Sequence, residues 1–333
     1  MKKFLLSALI GAFSLGSISA QTIYAYRCFQ ESNAQFSKKG PVKYSVSDPK
    51  TVTLIADQTK LGSVYAGAYY NYKWYAQVTQ LGTQKNVDGF YTIDMNDGTR
   101  TLISTQGAHL GDMTYDYTTN TMYGLKSDNE TLVTVDLNTG ATTTVGYFKT
   151  ASYQYPYILT LAADINGQLY AIGTDDNLYA VDKTNAIVTL IGSTGVDAAF
   201  AQSMDFDHST GTLYWANNGD CTLYTVDVKT GVATAVGAIG AKGDDSTNAM
   251  IIPFINVAKG APDRVTGRSA TADGKSVVLK WTNPAIDAQG NALTEIIPSE
   301  NRRIIRRCIL MFESPDISGI NDKCLCDRIS LCT

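Results

Sequence analysis

One sixteen-residue phrase recurs along the chain and constrains its fold more than any other feature. Residues 222–237 read TLYTVDVKTGVATAVG and residues 131–146 read TLVTVDLNTGATTTVG, with identity at ten of sixteen positions. Two more good copies cover residues 89–104 and 177–192, and a degenerate copy covers residues 42–56. The central aspartates of the good copies are spaced by 42, 46 and 45 residues: Asp94, Asp136, Asp182 and Asp227. Self-similarity at such a period indicates a repeat architecture.

Each copy predicts a β-hairpin. Apolar and polar residues alternate on both sides of a turn that carries an aspartate and a glycine, such as Asp227 and Gly231. A second hairpin precedes the last three copies, at residues 113–125, 161–173 and 204–216. The unit is therefore four antiparallel strands in about 45 residues, which is typical of a β-propeller blade.

The number of repeats predicts an all-β, five-bladed propeller over residues 21–258. Blade one has three recognisable strands, at residues 23–29, 42–46 and 52–55, and lacks an inner strand. One apolar strand, residues 249–255, stands alone after the fifth copy. We expect it to complete blade one, so that the N- and C-terminal strands close the ring and leave no open sheet edge.

The remaining segments flank this propeller. Residues 1–20 combine two lysines, an apolar run and small residues up to Ala20, which indicates a cleaved signal peptide. We therefore expect a secreted protein, in the periplasm, on the outer surface or outside the cell, without membrane insertion after cleavage. Residues 261–296 predict a partial β-sandwich hairpin. The Arg- and Cys-rich residues 297–333 predict an aberrant tail, truncated or frame-shifted, with a natural short helix as the alternative.

Two motifs resemble known families. The segment SVVLKWT, residues 276–282, resembles the second strand of a fibronectin type III domain. The blade phrase, the Ala20-Gln21 boundary and the junction from APDRVTG to VVLKWTNP resemble exported bacterial proteins that join a propeller of short blades to fibronectin-like modules. The resemblance covers residues 1–296. It implies the fold and an exported location, and no particular activity.

Composition argues against several partners and cofactors. A formal net charge of −4 gives no basic face for nucleic acid. The six cysteines are unevenly placed, with four in the last 26 residues, so they do not read as a disulfide scaffold. The sequence contains no readable histidine-rich metal site, phosphate-binding loop or Ser/His/Asp set. We expect no metal, no cofactor and a monomeric protein.

The predicted binding surface lies where the repeats disagree. The turn aspartates recur in each blade and are interpreted as turn caps, whereas residues 147–157 read YFKTASYQYPY, with five aromatics in eleven residues. Exposed rings on a rigid scaffold suit a glycan or a protein side chain. The predicted ligand-binding residues are Tyr147, Tyr153, Tyr155, Tyr157, Phe200, Trp215 and Trp74. The alternative is that these rings pack between blades.

The inner strands predict two further sites. When the inner strands are aligned, their starting positions form a ring of small polar residues at the channel mouth: Ser63, Asp112, Thr160, Ser203 and Asn248. We expect this ring to hold structural water rather than a cation. Asp112 and Asp205 are the channel-side carboxylates that a glycoside hydrolase would need. The sequence favours a secreted or surface-displayed, non-catalytic binding propeller for a glycan or an extracellular protein. The alternatives are a glycan-cleaving hydrolase and a structural spacer module of a larger surface protein.

Overall fold

The computed structural model describes residues 21–28, 38–79, 89–105, 109–199, 201–240 and 246–254, and the backbone of two strands between residues 266 and 282. These residues form strands and turns, and among them no helix is long and apolar enough to span a bilayer. The chain divides into two compact units at the boundary between residues 255 and 256. The predicted signal peptide at residues 1–20 and the tail at residues 297–333 lie outside the described residues.

The first unit consists of five blades of four antiparallel strands, which confirms the predicted five-bladed β-propeller. Blade 1 contains β1 (Thr22–Arg27), β2 (Gly40–Ser45), β3 (Asp48–Leu54) and the late strand β21 (Thr247–Ile251). Blade 2 contains β4 (Ser63–Tyr70), β5 (Lys73–Thr79), β6 (Gly89–Ile93) and β7 (Arg100–Ser104). Blade 3 contains β8 (Leu110–Asp116), β9 (Thr121–Lys126), β10 (Thr131–Val135) and β11 (Thr142–Tyr147).

The last two blades follow the same order. Blade 4 contains β13 (Ile158–Ala163), β14 (Leu169–Gly173), β15 (Asn177–Val181) and β16 (Ile187–Ser193), and a two-residue strand, β12 (Lys149–Thr150), adds to its outer edge in parallel. Blade 5 contains β17 (Ser203–Asp207), β18 (Thr212–Asn217), β19 (Thr222–Val226) and β20 (Ala233–Ala238). Antiparallel pairing places the two tight turns of each blade on one face, here called the turn face. The second-to-third strand loops and the inter-blade connections lie on the opposite side, here called the loop face.

Strand β21 closes the ring. It takes the inner position of blade 1 beside β1, with Tyr24 opposite Ile251. This confirms the predicted closure by the two ends of the propeller, with the strand beginning at Thr247 rather than at residue 249. The inner strands β21, β4, β8, β13 and β17 contact one another in that order around the axis. Beside the closing strand, Gln21 Nε2 donates to Pro253 O at 3.0 Å. The chain therefore enters and leaves the propeller at neighbouring points on the turn face.

Hydrophobic layers between neighbouring blades form the core. Five buried clusters occupy the five interfaces, and each draws its residues from two adjacent blades. The side chains in these layers follow the two-residue alternation of their strands, since Leu213 and Trp215 are buried whereas Tyr214 between them is half-buried. At about 1.5–3 kcal/mol for each large apolar side chain that is fully buried, these layers are the main source of stability.

The repeated aspartate builds the outer turn of blades 2 to 5, together with a glycine in blades 2, 3 and 5 and with Ala186 in blade 4. Gly231 N donates to Asp227 O at 2.7 Å, and Lys229 N donates to Asp227 Oδ1 at 2.8 Å. Gly231 has a φ of +86°, a conformation that glycine adopts without steric cost. Asp136 and Asp182 bond the backbone in the same way. The interpretation of these aspartates as turn caps is therefore confirmed.

The glycine that ends the phrase determines how the blades dock. Each fourth strand of blades 3, 4 and 5 has a β-bulge just before this glycine. Gly146 and Gly192 then lie against the outer turn of the next blade, and Gly237 lies against Pro49 of β3. A Cβ on Gly192 would lie 2.2 Å from Thr230 O, and one on Gly146 would lie 2.7 Å from Asn185 O. Any side chain at these two positions would push neighbouring blades apart.

The second unit contains the predicted hairpin. Strands β22 (Thr266–Asp273) and β23 (Ser276–Thr282) pair antiparallel. The remainder of the expected fibronectin-like segment, up to residue 296, lies outside the described residues.

Candidate functional site

Four tyrosines on one inter-blade connection are the most exposed aromatic rings among the described residues. Tyr147, Tyr153, Tyr155 and Tyr157 are 60%, 68%, 58% and 53% exposed. The fifth aromatic of the segment, Phe148, is buried in the core between blades 3 and 4. Residues 147–157, hereafter the tyrosine loop, thus have one ring inside the protein and four outside.

The tyrosine loop is held at its base and along its length. Phe148 N donates to Glu130 O at 2.7 Å, and Ile158 N donates to Asn129 O at 2.8 Å, so both ends are fixed to the loop face of blade 3. Between these ends, β12 pairs with β16 along the outer edge of blade 4. A loop that is formed in advance loses less conformational entropy on binding.

The returning end of the loop meets the second-to-third strand loop of blade 4. Thr174 N donates to Tyr157 O at 2.9 Å. Next to this bond, Asp175 Oδ2 accepts hydrogen bonds from Tyr179 OH at 2.6 Å and from Asn177 Nδ2 at 3.0 Å. The sequence reasoning missed Asp175 and Asn177. Their position in a loop on the same face as the tyrosine-rich connection was the available signal.

Two of the predicted ring residues do not contribute to this surface. Trp74 and Trp215 are 0% exposed, which corrects the expectation that they offer rings to a ligand. Both lie on the second strand of a blade, where the alternation of side chains directs them into an inter-blade layer. Trp215 Nε1 also donates to Gln202 Oε1 inside the protein. Phe200 lies outside the described residues.

Two of the predicted channel-mouth residues meet across neighbouring inner strands. The carboxylate of Asp112 is fully buried and accepts hydrogen bonds from Thr160 Oγ1 at 2.5 Å and from Leu161 N at 3.0 Å. Burial raises the pKa of Asp112 well above its usual range, although these bonds favour its ionised form. The Asp112 side chain therefore fastens blade 3 to blade 4.

The other three predicted channel-mouth residues are buried as well. Ser203 Oγ accepts from Met250 N at 2.7 Å, which joins blade 5 to the closing strand. Asn248 Oδ1 accepts from Asn218 Nδ2 at 2.9 Å. Ser63 lies at the start of β4 with 9% of its surface exposed. Ser203 and Asn248 thus bind groups outside the predicted ring.

The second candidate catalytic carboxylate, Asp205, lines a small cavity near the axis. Its Oδ2 accepts from Ile252 N at 2.8 Å, and its Oδ1 accepts from Phe206 N at 2.9 Å. Burial raises the pKa of Asp205 to about 7. The cavity has a volume of about 10 Å³, which is room for about one water molecule. A sugar ring does not fit beside this carboxylate.

Aromatic rings from blades 2, 3 and 5 line the same cavity, namely Tyr69, Tyr115, Tyr117 and His208, and Phe254 packs against two of them. The His208 ring lies 5.2 Å from the Tyr117 ring and 5.2 Å from the Phe254 ring, between centroids. Burial lowers the pKa of His208 to about 4, so this ring is neutral near pH 7. Burial also raises the pKa of Tyr117. The sequence reasoning missed this cluster because its members come from distant parts of the chain.

In the part of the chain that the structure describes, no group of three or more His, Cys, Asp or Glu side chains is placed to hold a metal ion.

Comparison with known proteins concerns the fold alone. No protein-family model matches the sequence, and no curated protein matches it significantly. Similar solved structures include a protein of unknown function from Bacteroides thetaiotaomicron, a chain of a nidogen–laminin complex and streptogramin B lyase, at 15%, 10% and 12% identity and TM-scores of 0.39, 0.44 and 0.34. These matches cover 54%, 70% and 72% of this chain, and 44%, 98% and 70% of the other chains. The match thus spans less than half of the Bacteroides protein, and none of the three assigns a function to this chain.

Proposed function

We propose that this protein is a secreted or surface-displayed binding propeller without catalytic activity, and that its tyrosine loop takes a glycan or an extracellular protein. One observation carries the proposal: four tyrosines, each more than half exposed, project from a single anchored loop. Export through a cleaved signal at residues 1–20 and a monomeric state are part of the same proposal.

Exposed tyrosine rings gain free energy when a ligand removes their apolar faces from water. A tyrosine presents one apolar face and one polar tip, so it binds well to partners that are themselves partly apolar. Groups of exposed rings on a rigid scaffold mark interaction sites more often than isolated ones do. The backbone bonds at Phe148 and Ile158 hold the loop in place before any ligand arrives.

The hydrolase alternative is weaker because neither carboxylate has space for a substrate. Asp112 is fully buried, and Asp205 faces a cavity of about 10 Å³. Hydrolysis of a polysaccharide by the protein, lost in Asp205→Asn, would restore this alternative. Binding to no glycan and no protein would favour the spacer module.

The test is a binding screen of the full chain against immobilised glycans and extracellular proteins. The double variant Tyr153→Ala/Tyr155→Ala is expected to weaken any binding that is found by at least about tenfold. Tyr72→Ala is the matched control, because Tyr72 is 42% exposed but lies in the β4–β5 turn of blade 2. Binding that the double variant leaves unchanged would show that the tyrosine loop is not the site.

A further inference from the structure

We infer that the ligand is a neutral carbohydrate and that Tyr157, Asp175 and Asn177 form a subsite for it at the loop face of blade 4. This inference rests on the proposed binding function and specifies its ligand. It places the site at the returning end of the tyrosine loop, where an exposed ring, a carboxylate and an amide lie on adjoining segments.

The subsite is built by close packing of the two segments. Thr174 N donates to Tyr157 O at 2.9 Å, which fixes the ring-bearing residue against blade 4. Gly173 lies beneath, and a Cβ there would be 2.6 Å from Asp175 Oδ1 and 3.3 Å from Tyr157 O. The absence of a side chain at Gly173 therefore lets the Asp175 carboxylate and the tyrosine loop approach each other.

Hydrogen bonds to one oxygen of the Asp175 carboxylate orient it and leave its other oxygen available to accept a hydrogen bond from a ligand. Its Oδ2 is occupied by Tyr179 OH at 2.6 Å and Asn177 Nδ2 at 3.0 Å, whereas its Oδ1 accepts no hydrogen bond among the described residues. The residue is exposed. The neighbouring Asp176 differs, because its Oδ1 is engaged by Ala198 N at 2.7 Å. A fixed carboxylate oxygen on the segment that adjoins a residue with an exposed ring is suited to accept a sugar hydroxyl while the ring packs on the sugar's C–H face.

The composition of the surface favours a neutral carbohydrate over a protein. Between Lys149 and Tyr157 the loop has no aliphatic side chain larger than that of Ala151 or Pro156, and its remaining side chains are hydroxyls, an amide and rings. Protein-binding centres are usually enriched in arginine and methionine as well as in aromatic residues, and this loop has neither arginine nor methionine. An acidic sugar is disfavoured at this subsite because Asp175 would repel it. The cation of the loop, Lys149, lies 5.2 Å above the Tyr153 ring instead, and the two arginines of the propeller, Arg27 and Arg100, lie in blades 1 and 2.

The first measurement is affinity electrophoresis of the full chain in gels that contain mannan, galactan, arabinan, xyloglucan or the acidic polygalacturonate. We expect retardation by at least one of the four neutral polysaccharides and none by polygalacturonate. Titration calorimetry with the retarding polysaccharide then gives the affinity. Because the ligand is uncharged, the affinity is expected to change by less than about twofold between 50 mM and 500 mM salt.

The second measurement compares matched variants. Tyr157→Ala and Asp175→Asn are each expected to weaken the affinity by at least about tenfold. Asp220→Asn is the control. Asp220 accepts a hydrogen bond from Tyr224 OH at 2.6 Å, as Asp175 does from Tyr179, but it lies in the second-to-third strand loop of blade 5 instead of blade 4. Melting temperatures of the three variants are measured alongside, since both aspartate variants remove the same kind of internal bond.

The results of these measurements distinguish the carbohydrate inference, the subsite and the proposed binding function. Retardation by polygalacturonate alone, or by no polysaccharide, overturns the carbohydrate inference. If Tyr153→Ala/Tyr155→Ala abolishes polysaccharide binding while Tyr157→Ala and Asp175→Asn leave it intact, the subsite is wrong and the proposed function stands. Equal losses in Asp175→Asn and Asp220→Asn also overturn the subsite. If the protein binds an extracellular protein through the tyrosine loop and no polysaccharide, the proposed function stands and the carbohydrate inference falls.

Discussion

The Asp205 carboxyl offers a direct test of how the ring closes, because its ionisation should oppose folding. It accepts a hydrogen bond at 2.8 Å from Ile252 N, directly after the closing strand, yet burial raises its pKa from the ordinary 3.8 to about 7. A folded-state pKa above the unfolded one means that the folded protein holds the proton more tightly. This contribution to stability is complete below about pH 4 and is lost as pH rises through about 7.

The size of the effect follows from the difference between the two pKa values. A difference of about 3 units corresponds to about 4 kcal/mol at about 1.4 kcal/mol per unit. Asp205 is half-buried rather than enclosed, so solvent screening reduces the expected change to about 2–3 kcal/mol. The neighbouring His208 acts in the opposite direction, because its pKa is lowered to about 4. Its contribution is present above about pH 6.5 and is lost as pH falls towards 4.

The assay is urea unfolding of the wild type and Asp205→Asn at several pH values between about 4 and 7.5, followed by tryptophan fluorescence. Trp74 and Trp215 are buried in the propeller and report its unfolding. The His208 contribution is present in both proteins and largely cancels in their difference. We expect the free energy of unfolding of the wild type to fall by about 2–3 kcal/mol relative to Asp205→Asn across this range. A constant difference would refute the assignment of a half-buried, proton-binding carboxyl beside the closing strand.

Two further substitutions test how the blades dock. Gly192→Ala places a Cβ 2.2 Å from Thr230 O, and overpacking of this kind lowers the free energy of unfolding by about 1–3 kcal/mol, which urea unfolding would measure. Gly111→Ala is the control, because the nearest atom to its Cβ would be 3.7 Å away. Equal losses in the two variants would contradict the docking role of Gly192. Lys183→Met removes the cation 2.5 Å from the buried Asp116 Oδ2, and we expect a loss of about 1–3 kcal/mol at pH 7. Burial alone would raise the pKa of Asp116, but the hydrogen bonds from Lys183 and two threonines lower it to about 2. The loss of stability in Lys183→Met should therefore shrink below about pH 4. A loss that is equal at pH 3 and pH 7 would argue against the ion pair.

The sequence predicts the propeller well because the phrase combines signals of several kinds. Asp227 and Gly231 define a turn, the alternation around Tyr224 defines a strand, and the spacing of the copies defines a blade. The unpaired strand at residues 249–255 was sufficient to predict the closure. The docking role of Gly146 and Gly192 is not readable from one blade, because the atoms that exclude a side chain belong to the next blade.

The candidate site is predicted less completely, for a physical reason. Exposure of the tyrosine loop agrees with the position of Tyr153 and Tyr155 in a variable segment, because such segments lie outside the repeated layers. Trp74 and Trp215 were misplaced because aromatic content was given more weight than strand alternation, which directs both into the core. Asp175 becomes a candidate only when the hydrogen bond between Thr174 and Tyr157 is known, since that contact joins segments that the sequence does not link.

The adjacency of Gln21 and Pro253 has a mechanical consequence. Strands β1 and β21 run antiparallel and both emerge at this point, so a pulling force applied between the two ends acts across the ladder rather than along it. Each backbone bond between the strands would then carry the load in turn, starting at the pair Tyr24–Ile251 and ending at Arg27–Thr247. Ladders loaded in this direction peel open, whereas ladders loaded along the strands must break all their bonds together. Under tension, the closing strand is therefore where the propeller would open first, and the bonds from Met250 N to Ser203 and from Ile252 N to Asp205 resist this opening.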